Sequence, residues 1–243
     1  MILCIDSGNT RVKWAVHDGA RWLEHGAVTH GNLAALSHWQ RGCRWQPTRV
    51  VLANVAGDRA AAAIGAALGD WSRCLTVARS TARACGVVNG YAQPERLGVD
   101  RWCALVGARA MHAGSCLVVG AGTATTIDTL GADGCFRGGL ILPGLDLMRS
   151  ALAGNTAGLP LAAGHWESWP RTTDNAIVSG CLEAQAGAVE RAYARIADES
   201  GALCLLFGGA AERLDARLDI PRRRIDPLVL EGLLRLAGEA DTS

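Results

Sequence analysis

The chain has 243 residues, 49% of them hydrophobic and 19% charged, which is the profile of a globular protein and excludes a disordered one. A length of this kind suits one large domain or two of about 120 residues, each able to bury a core. The formal net charge of +1 argues against a broad electrostatic surface for nucleic acid. Nine cysteines, odd in number, include no CxxC pair of metal-ligating spacing, and Cys4, Cys74, Cys103, Cys116, Cys181 and Cys204 lie inside apolar runs, as thiols kept reduced do. The six histidines show neither HxxxH nor HExxH spacing, which speaks against a zinc enzyme. No basic leader precedes an apolar segment, and no apolar run approaches the roughly 18 residues of a membrane span, so the expectation is a cytoplasmic protein with no membrane or nucleic-acid partner.

Apolar alternation and turn residues predict the elements in order. A strand runs to Ile5, a Ser7-Gly8-Asn9 turn follows, and a second strand runs from Arg11 to Val16. Asp18-Gly19 turns the chain into a third strand from Arg21 to about Val28. A helix over 31–41, a strand at Val50–Ala53, an alanine-rich helix over 57–68 and a strand near Cys74–Val77 complete a βββαβαβ order. A loop leads to a helix from Val99 to about Ala113. The grammar then returns: a strand at Ser115–Val119, a glycine turn at Gly120–Ala124, a strand at Thr125–Leu130, an Asp133-Gly134 turn and a strand from Cys135 to Leu142. Helices at 143–154 and 172–199, a strand at Leu203–Phe207 and helices at 209–217 and 226–238 follow. Arg222-Arg223-Arg224 reads as a solvated loop or helix-start cluster. The chain thus looks duplicated with an offset of 114 residues, from Asp6 to Gly120 and from Gly8 to Gly122. The expected halves are residues 1–113 and 114–243, with a ligand cleft between them.

The first turn carries the chemistry of an anion site. Gly8 admits close backbone approach, Asn9 and Thr10 add donors, Lys13 adds a point charge, and Asp6 suits a hydrated divalent cation. A plain hairpin turn explains the same Gly-Asn pair. Lys13 is the only lysine among 24 basic residues, the other 23 being arginine, so a compact ammonium is kept at one place, beside that turn.

Five segments follow one another: Asp6-x-Gly8-Asn9-Thr10-x-x-Lys13; Asn89-Gly90-Tyr91-x-x-Pro94-x-x-Leu97-Gly98-Val99-Asp100-Arg101-Trp102; Gly122-Thr123-Ala124-x-Thr126-x-Asp128; Gly138-Gly139-x-Ile141-x-Pro143-Gly144; and Gly208-Gly209. Together, from residue 1 to about 235, they resemble the type III pantothenate kinases of the actin/Hsp70/sugar-kinase superfamily. The resemblance implies an α/β, duplicated ribonuclease-H-like (actin-like ATPase) fold of two mixed-sheet halves. It also implies ATP-dependent phosphorylation of pantothenate to 4′-phosphopantothenate, the first step of coenzyme A biosynthesis. ATP would be bound by Asp6, Ser7, Gly8, Asn9, Thr10, Arg11, Val12 and Lys13, by Gly122 and Thr123, and on the adenosine side by Gly208 and Gly209.

In the family the residue matching Asp100 is the general base that takes the proton of the attacking hydroxyl. On its own, an Asp at a helix start is an ordinary N-cap. Tyr91, Gly98, Val99, Asp100 and Arg101 would line the pantothenate site, Arg101 by its planar fork. Thr173 would reach the substrate of a partner subunit, which implies a homodimer, although Thr172 or Thr173 also suits a helix N-cap. Asp6 would hold Mg²⁺ through water, and Asp128 is a further candidate for metal-bound water. The family's acid before x-Gly-Thr-Ala, assigned to a monovalent cation such as K⁺ or NH₄⁺, is replaced by Gly120. Two alternatives stay open: a kinase of another small alcohol, and a non-catalytic transcriptional accessory factor of the same fold.

Overall fold

The computed structural model describes residues 1–156, 161 and 163–239. By internal contacts the chain forms two units. The first comprises 1–111, 134–136 and the chain from Pro227; the second comprises 112–133 and 137–226. The boundary expected at 113/114 falls at Met111/His112, and the chain returns to the first unit at its end.

In the first unit, β1 (Ile2–Ser7), β2 (Arg11–His17) and β3 (Trp22–Thr29) form an antiparallel meander. A single 3₁₀ turn, His30–Asn32, leads into α1 (Leu33–Gly42), followed by β4 (Arg49–Asn54), α2 (Asp58–Ala67) and β5 (Leu75–Val77). The sheet order is β3-β2-β1-β4-β5, with β4 parallel to both β1 and β5. Leu3, Ile5, Val12, Trp14 and Val16 alternate onto the face covered by Leu36 of α1 and Ile64 of α2, all buried. Burying each such aliphatic side chain contributes roughly 1.5–3 kcal/mol. On the same face Trp14 stacks on Trp39 with ring centroids 3.6 Å apart, and Trp39 meets Trp71 edge-on at 5.7 Å. Glu24 accepts the indole N–H of both Trp39 and Trp45. The Trp14 ring lies over its cross-strand partner Gly26, where a Cβ would come within 2.4 Å of it.

Two short strands absent from the sequence reading, β6 (Arg83–Ala84) and β7 (Val87–Asn89), turn about Cys85 and Gly86, both with positive φ. Helix α3 (Val99–Met111) is buried without interruption from Arg101 to Ala108.

In the second unit, β8 (Cys116–Ala121), β9 (Ala124–Leu130) and β10 (Cys135–Pro143) precede α4 (Leu145–Asn155) and α5 (Thr173–Tyr193). Residues Cys135 and Phe136 of β10 belong to the first unit, where they pair with Val88 and Asn89. β11 (Leu203–Phe207), α6 (Ala211–Asp215) and β12 (Arg222–Arg224) complete the order β12-β11-β8-β9-β10. This repeats the first unit's meander-then-parallel topology and makes the duplication physical. Two expectations are corrected. Arg222-Arg223-Arg224 is an exposed edge strand that pairs in parallel with β11 on one side, and the Arg222 side chain is ion-paired with Asp215 at 2.7 Å. The helix expected over 172–199 ends at Tyr193, where the bonding tightens to i−3: Arg195 N–H donates to Ala192 O and Ile196 N–H to Tyr193 O.

The last helix, α7 (Leu228–Glu239), explains why α3 is buried all round. A Cβ on Gly232 would lie 1.8 Å from Cys103 O, and one on Gly107 would lie 2.4 Å from Leu228 O. Two glycines thus let the helix backbones touch.

Candidate active site

The first turn is built by strand alternation. Asp6 and Lys13 are directly opposed on β1 and β2, so their side chains leave the same face, both half-buried. Ser7 and Val12, opposed in the next pair, turn to the core face and are fully buried. Of these four predicted ATP residues, two therefore present side chains to the Asp6 face and two present backbone only. The Ser7 hydroxyl is buried without a hydrogen-bond partner. Gly8 N–H donates to Arg11 O at 3.1 Å and closes the turn, while Asn9, Thr10 and Arg11 are exposed at its tip. A Cβ on Gly8 would meet nothing closer than Arg11 O at 3.7 Å, so packing does not require glycine there.

Asp100 stands in the first turn of α3, half-buried, inside the cap position that the sequence also allowed. Its Oδ1 accepts Arg101 N–H at 2.8 Å. A Cβ on Gly98 would come within 2.7 Å of that oxygen, so Gly98 is what leaves the carboxylate its place. One turn on, the Cys103 thiol is pushed well above its ordinary value, by burial first and then by the neighbouring carboxylates of Asp6 and Asp100.

Arg101 is 6% exposed. Its Nη1 donates to Tyr91 Oη at 2.8 Å, and its guanidinium carbon lies 5.5 Å from the Tyr91 ring centroid and 5.9 Å from that of Phe136. The two rings stack at 5.5 Å. Asn89 fixes the Tyr91 loop: its Oδ1 accepts Tyr91 N–H, and its Nδ2 donates to Thr81 O and Pro94 O. Gly90 is obligatory, since a Cβ there would lie 2.0 Å from Phe136 O. Of the residues expected at the substrate site, Tyr91 and Arg101 are joined by a hydrogen bond, Gly98 lies against Asp100, and Val99 is the half-buried first residue of α3. Phe136, which no motif contains, lies 45 residues beyond Tyr91 and is delivered by the β7–β10 pairing.

The second turn is one residue shorter. Gly122 N–H donates to Ala124 O, and the pairing Gly120↔Thr126 replaces Asp6↔Lys13, so the offset of 114 before the turn becomes 113 after it. Gly122 and Thr123 are exposed at the tip. Two glycine motifs brace it. A Cβ on Gly144 would lie 2.2 Å from Gly122 O and 2.5 Å from Thr123 O; one on Gly208, whose φ is +103°, would lie 2.5 Å from Ala121 O. Gly209 follows, exposed. Buried Gln185 accepts the Thr125 hydroxyl and donates to Pro143 O, both at 2.8 Å. A Cβ on Gly120 would meet Phe207 Cζ at 2.8 Å and Thr126 Oγ1 at 3.0 Å. Asp128 alternates onto the Gly120 face two residue pairs farther from the turn and is 1% exposed.

At the start of α5, Thr172 takes the cap, its hydroxyl accepting Asn175 N–H, which leaves the Thr173 side chain exposed in the first turn. Leu140, Ile141, Leu147 and Trp169, on β10, on α4 and ahead of α5, are exposed as well, at 39, 64, 48 and 85%. Among the described residues no helix is long and apolar enough to cross a membrane.

Comparison with known proteins adds three findings. Residues 2–195 match the family model for type III pantothenate kinase. The chain is 52% identical to a protein of that name from Dechloromonas aromatica, over 98% of this chain and 99% of the relative, and 54% identical to one from Aromatoleum aromaticum, over 98% of each. Among solved structures, it resembles a Baf-family transcriptional activator from Campylobacter jejuni (TM-score 0.65, 16% identity, 99% and 100% coverage). It also resembles a 2-dehydro-3-deoxygalactonokinase from Sinorhizobium meliloti (0.62, 17%, 99% of each). At such identities the likeness is one of fold, the duplicated actin-like ATPase architecture.

Proposed function

The chain belongs to the type III pantothenate kinase family, and from that membership we infer that it transfers the γ-phosphoryl group of ATP to pantothenate, giving 4′-phosphopantothenate and ADP. The observation that carries the assignment of roles is the adjacency of Asp100 and Arg101. A half-buried carboxylate held by one helix-turn N–H sits beside a buried guanidinium clamped by Tyr91.

In the proposed reaction Arg101 binds the pantothenate carboxylate and brings its primary hydroxyl toward Asp100. Asp100 accepts the hydroxyl proton as that oxygen forms its bond to the γ-phosphorus and the bond to the β-phosphate oxygen breaks. Lys13 and the Gly8–Thr10 turn bind triphosphate oxygens, and Gly8, bare without a packing reason, lets the phosphate approach. Gly122 and Thr123 are assigned further phosphate contacts, and Gly208 and Gly209 the adenosine side. Asp6, a carboxylate facing Lys13, fits the hard, hydrated Mg²⁺ that accompanies ATP. Bound there, the ion supplies neutralisation of charge on the β- and γ-phosphates. The rate then comes from positioning and electrostatics rather than from a covalent intermediate.

Two finer points belong to this reading. Phe207 and Thr126 fill the space an acid at position 120 would use, so catalysis is proposed to be as fast in sodium as in potassium or ammonium. The exposed apolar side chains of β10 and α4, with Thr173 free of the cap, support a homodimer in which Thr173 serves the partner's substrate. Sedimentation of Ile141→Asp checks it, the expected outcome being a monomer.

The deciding experiment is transfer of labelled phosphate from ATP to pantothenate by the purified chain, with Asp100→Asn as control. Turnover lost in that variant while ATP binding persists is the expected result. A binding-competent wild type that leaves pantothenate untouched would return the assignment to another alcohol or to the accessory-factor alternative, which the family relationship does not favour.

A further inference from the structure

His30 has no role in the sequence motifs, yet the fold brings it to the first turn. The β2–β3 register pairs Arg11 with Thr29, so the residue after Thr29 emerges beside the turn that precedes Arg11. There the half-buried His30 ring places Nε2 2.7 Å from the carbonyl oxygen of Gly8. A carbonyl only accepts, so Nε2 carries the hydrogen.

That contact acts on one peptide unit. The carbonyl of Gly8 and the N–H of Asn9 share a planar trans amide and point in opposite directions. Holding the carbonyl toward His30 therefore aims Asn9 N–H the other way, and a reversed peptide would turn an oxygen lone pair toward an incoming anion. Packing does not enforce the choice. The flank of the turn beyond His30 borders an open pocket of about 380 Å³, lined by Asn9, His30, Leu33 and Arg59 among others. Gly8 itself offers no side chain to lock the peptide.

We propose that His30 is a positioning residue for phosphate binding: its Nε2–H holds the Gly8 carbonyl and so keeps Asn9 N–H aimed at the phosphates. This rests on the reading of the first turn as a phosphate site.

The test compares calorimetric affinities for ATP and for adenosine, which lacks phosphates, in wild type, His30→Ala, His30→Gln and Lys13→Ala. His30→Ala should weaken ATP about five- to tenfold, the worth of one hydrogen bond, and leave adenosine unchanged. His30→Gln, whose amide again donates, should recover most of the loss. A merely structural histidine would lower the melting temperature without changing the ratio of ATP to adenosine affinity. An unchanged ratio in His30→Ala, beside a lowered one in Lys13→Ala, overturns the positioning role alone. An unchanged ratio in both overturns the phosphate reading of the turn and this proposal with it. Should His30→Ala fail to fold, His30→Phe keeps the ring and removes the donor. The same selective loss of ATP affinity is expected of it, and its absence is equally fatal.

Discussion

The first and second hairpins are the same device at two levels of charge. Each follows a buried strand, turns at a glycine and returns antiparallel. At the matching register position, however, one has Asp6 facing Lys13 and the other has Gly120 facing Thr126. The first turn puts two ionic side chains on one face. The second offers backbone and hydroxyls, is braced by Gly144 and Gly208, and has the Phe207 ring where the acid would stand. Duplication therefore copied a hairpin, and only the first copy sets an acid against a base beside its turn.

The largest expected effect separates the two turns directly. Lys13→Ala should cost about 10²–10³-fold in kcat, as loss of a charged phosphate contact does, whereas Thr123→Ala should cost only about fivefold, a neutral hydrogen bond. Steady-state kinetics on both variants break the comparison if the costs are equal.

Making the second hairpin resemble the first should fail on packing. Gly120→Asp drives a Cβ to 2.8 Å from Phe207 Cζ, an overpacked site, and a loss of about 1–3 kcal/mol is expected in denaturant melts. Adding Phe207→Leu should return part of it.

A smaller effect lies at the far ends of the hairpins. The first is tied there by exposed hydrogen bonds between Met1 and Thr48. At the second, Glu199 accepts from buried Ser115 and pairs with Arg137. Arg137 first, and then the Ser115 hydroxyl, hold the Glu199 carboxyl below its ordinary value of 4.5. The contribution to stability is therefore complete above that value and disappears as pH falls through the lower, folded one. Thermal melts from about pH 6 to about pH 3 should show wild type losing its margin over Glu199→Gln only in the acid part of the range.

The smallest effect is the most pointed. By the offset, Ser7 matches Ala121, and its hydroxyl is buried without a partner. Ser7→Ala should leave turnover intact and the melting temperature equal or slightly higher, because an unsatisfied buried hydroxyl stabilises nothing. A marked loss of ATP affinity would show that the side chain, and not the backbone, meets the ligand.

How much of this was legible beforehand follows the length scale of each signal. Period-two alternation around Gly8 and Gly122 revealed both hairpins, and helix α3 was readable from its apolar content. The strands β6 and β7 span two and three residues, too short for a period to register. Arg222–Arg224 carries no apolar residue, so its pairing with β11 is invisible until β11 is in place. At the site, Asp100 and Arg101 could be found because their motif is contiguous. Phe136, His30 and Gln185 reach the site or its braces through strand register and helix docking, and no local spacing encodes those. The one-residue shortening of the second turn, which sets Thr126 rather than Ile127 against Gly120, needed the observed pairing.

The stacked indoles of the first unit give the protein a built-in optical signature. Trp14 follows Lys13 on β2 and lies 3.6 Å from Trp39. Rings that close share their excited states, so the pair, with Trp71 edge-on to Trp39 at 5.7 Å, should produce a near-ultraviolet circular dichroism couplet. Trp14 and Lys13 leave opposite faces of the same strand, so the couplet is a label-free probe of whether a nucleotide at the lysine disturbs the packed face beneath it.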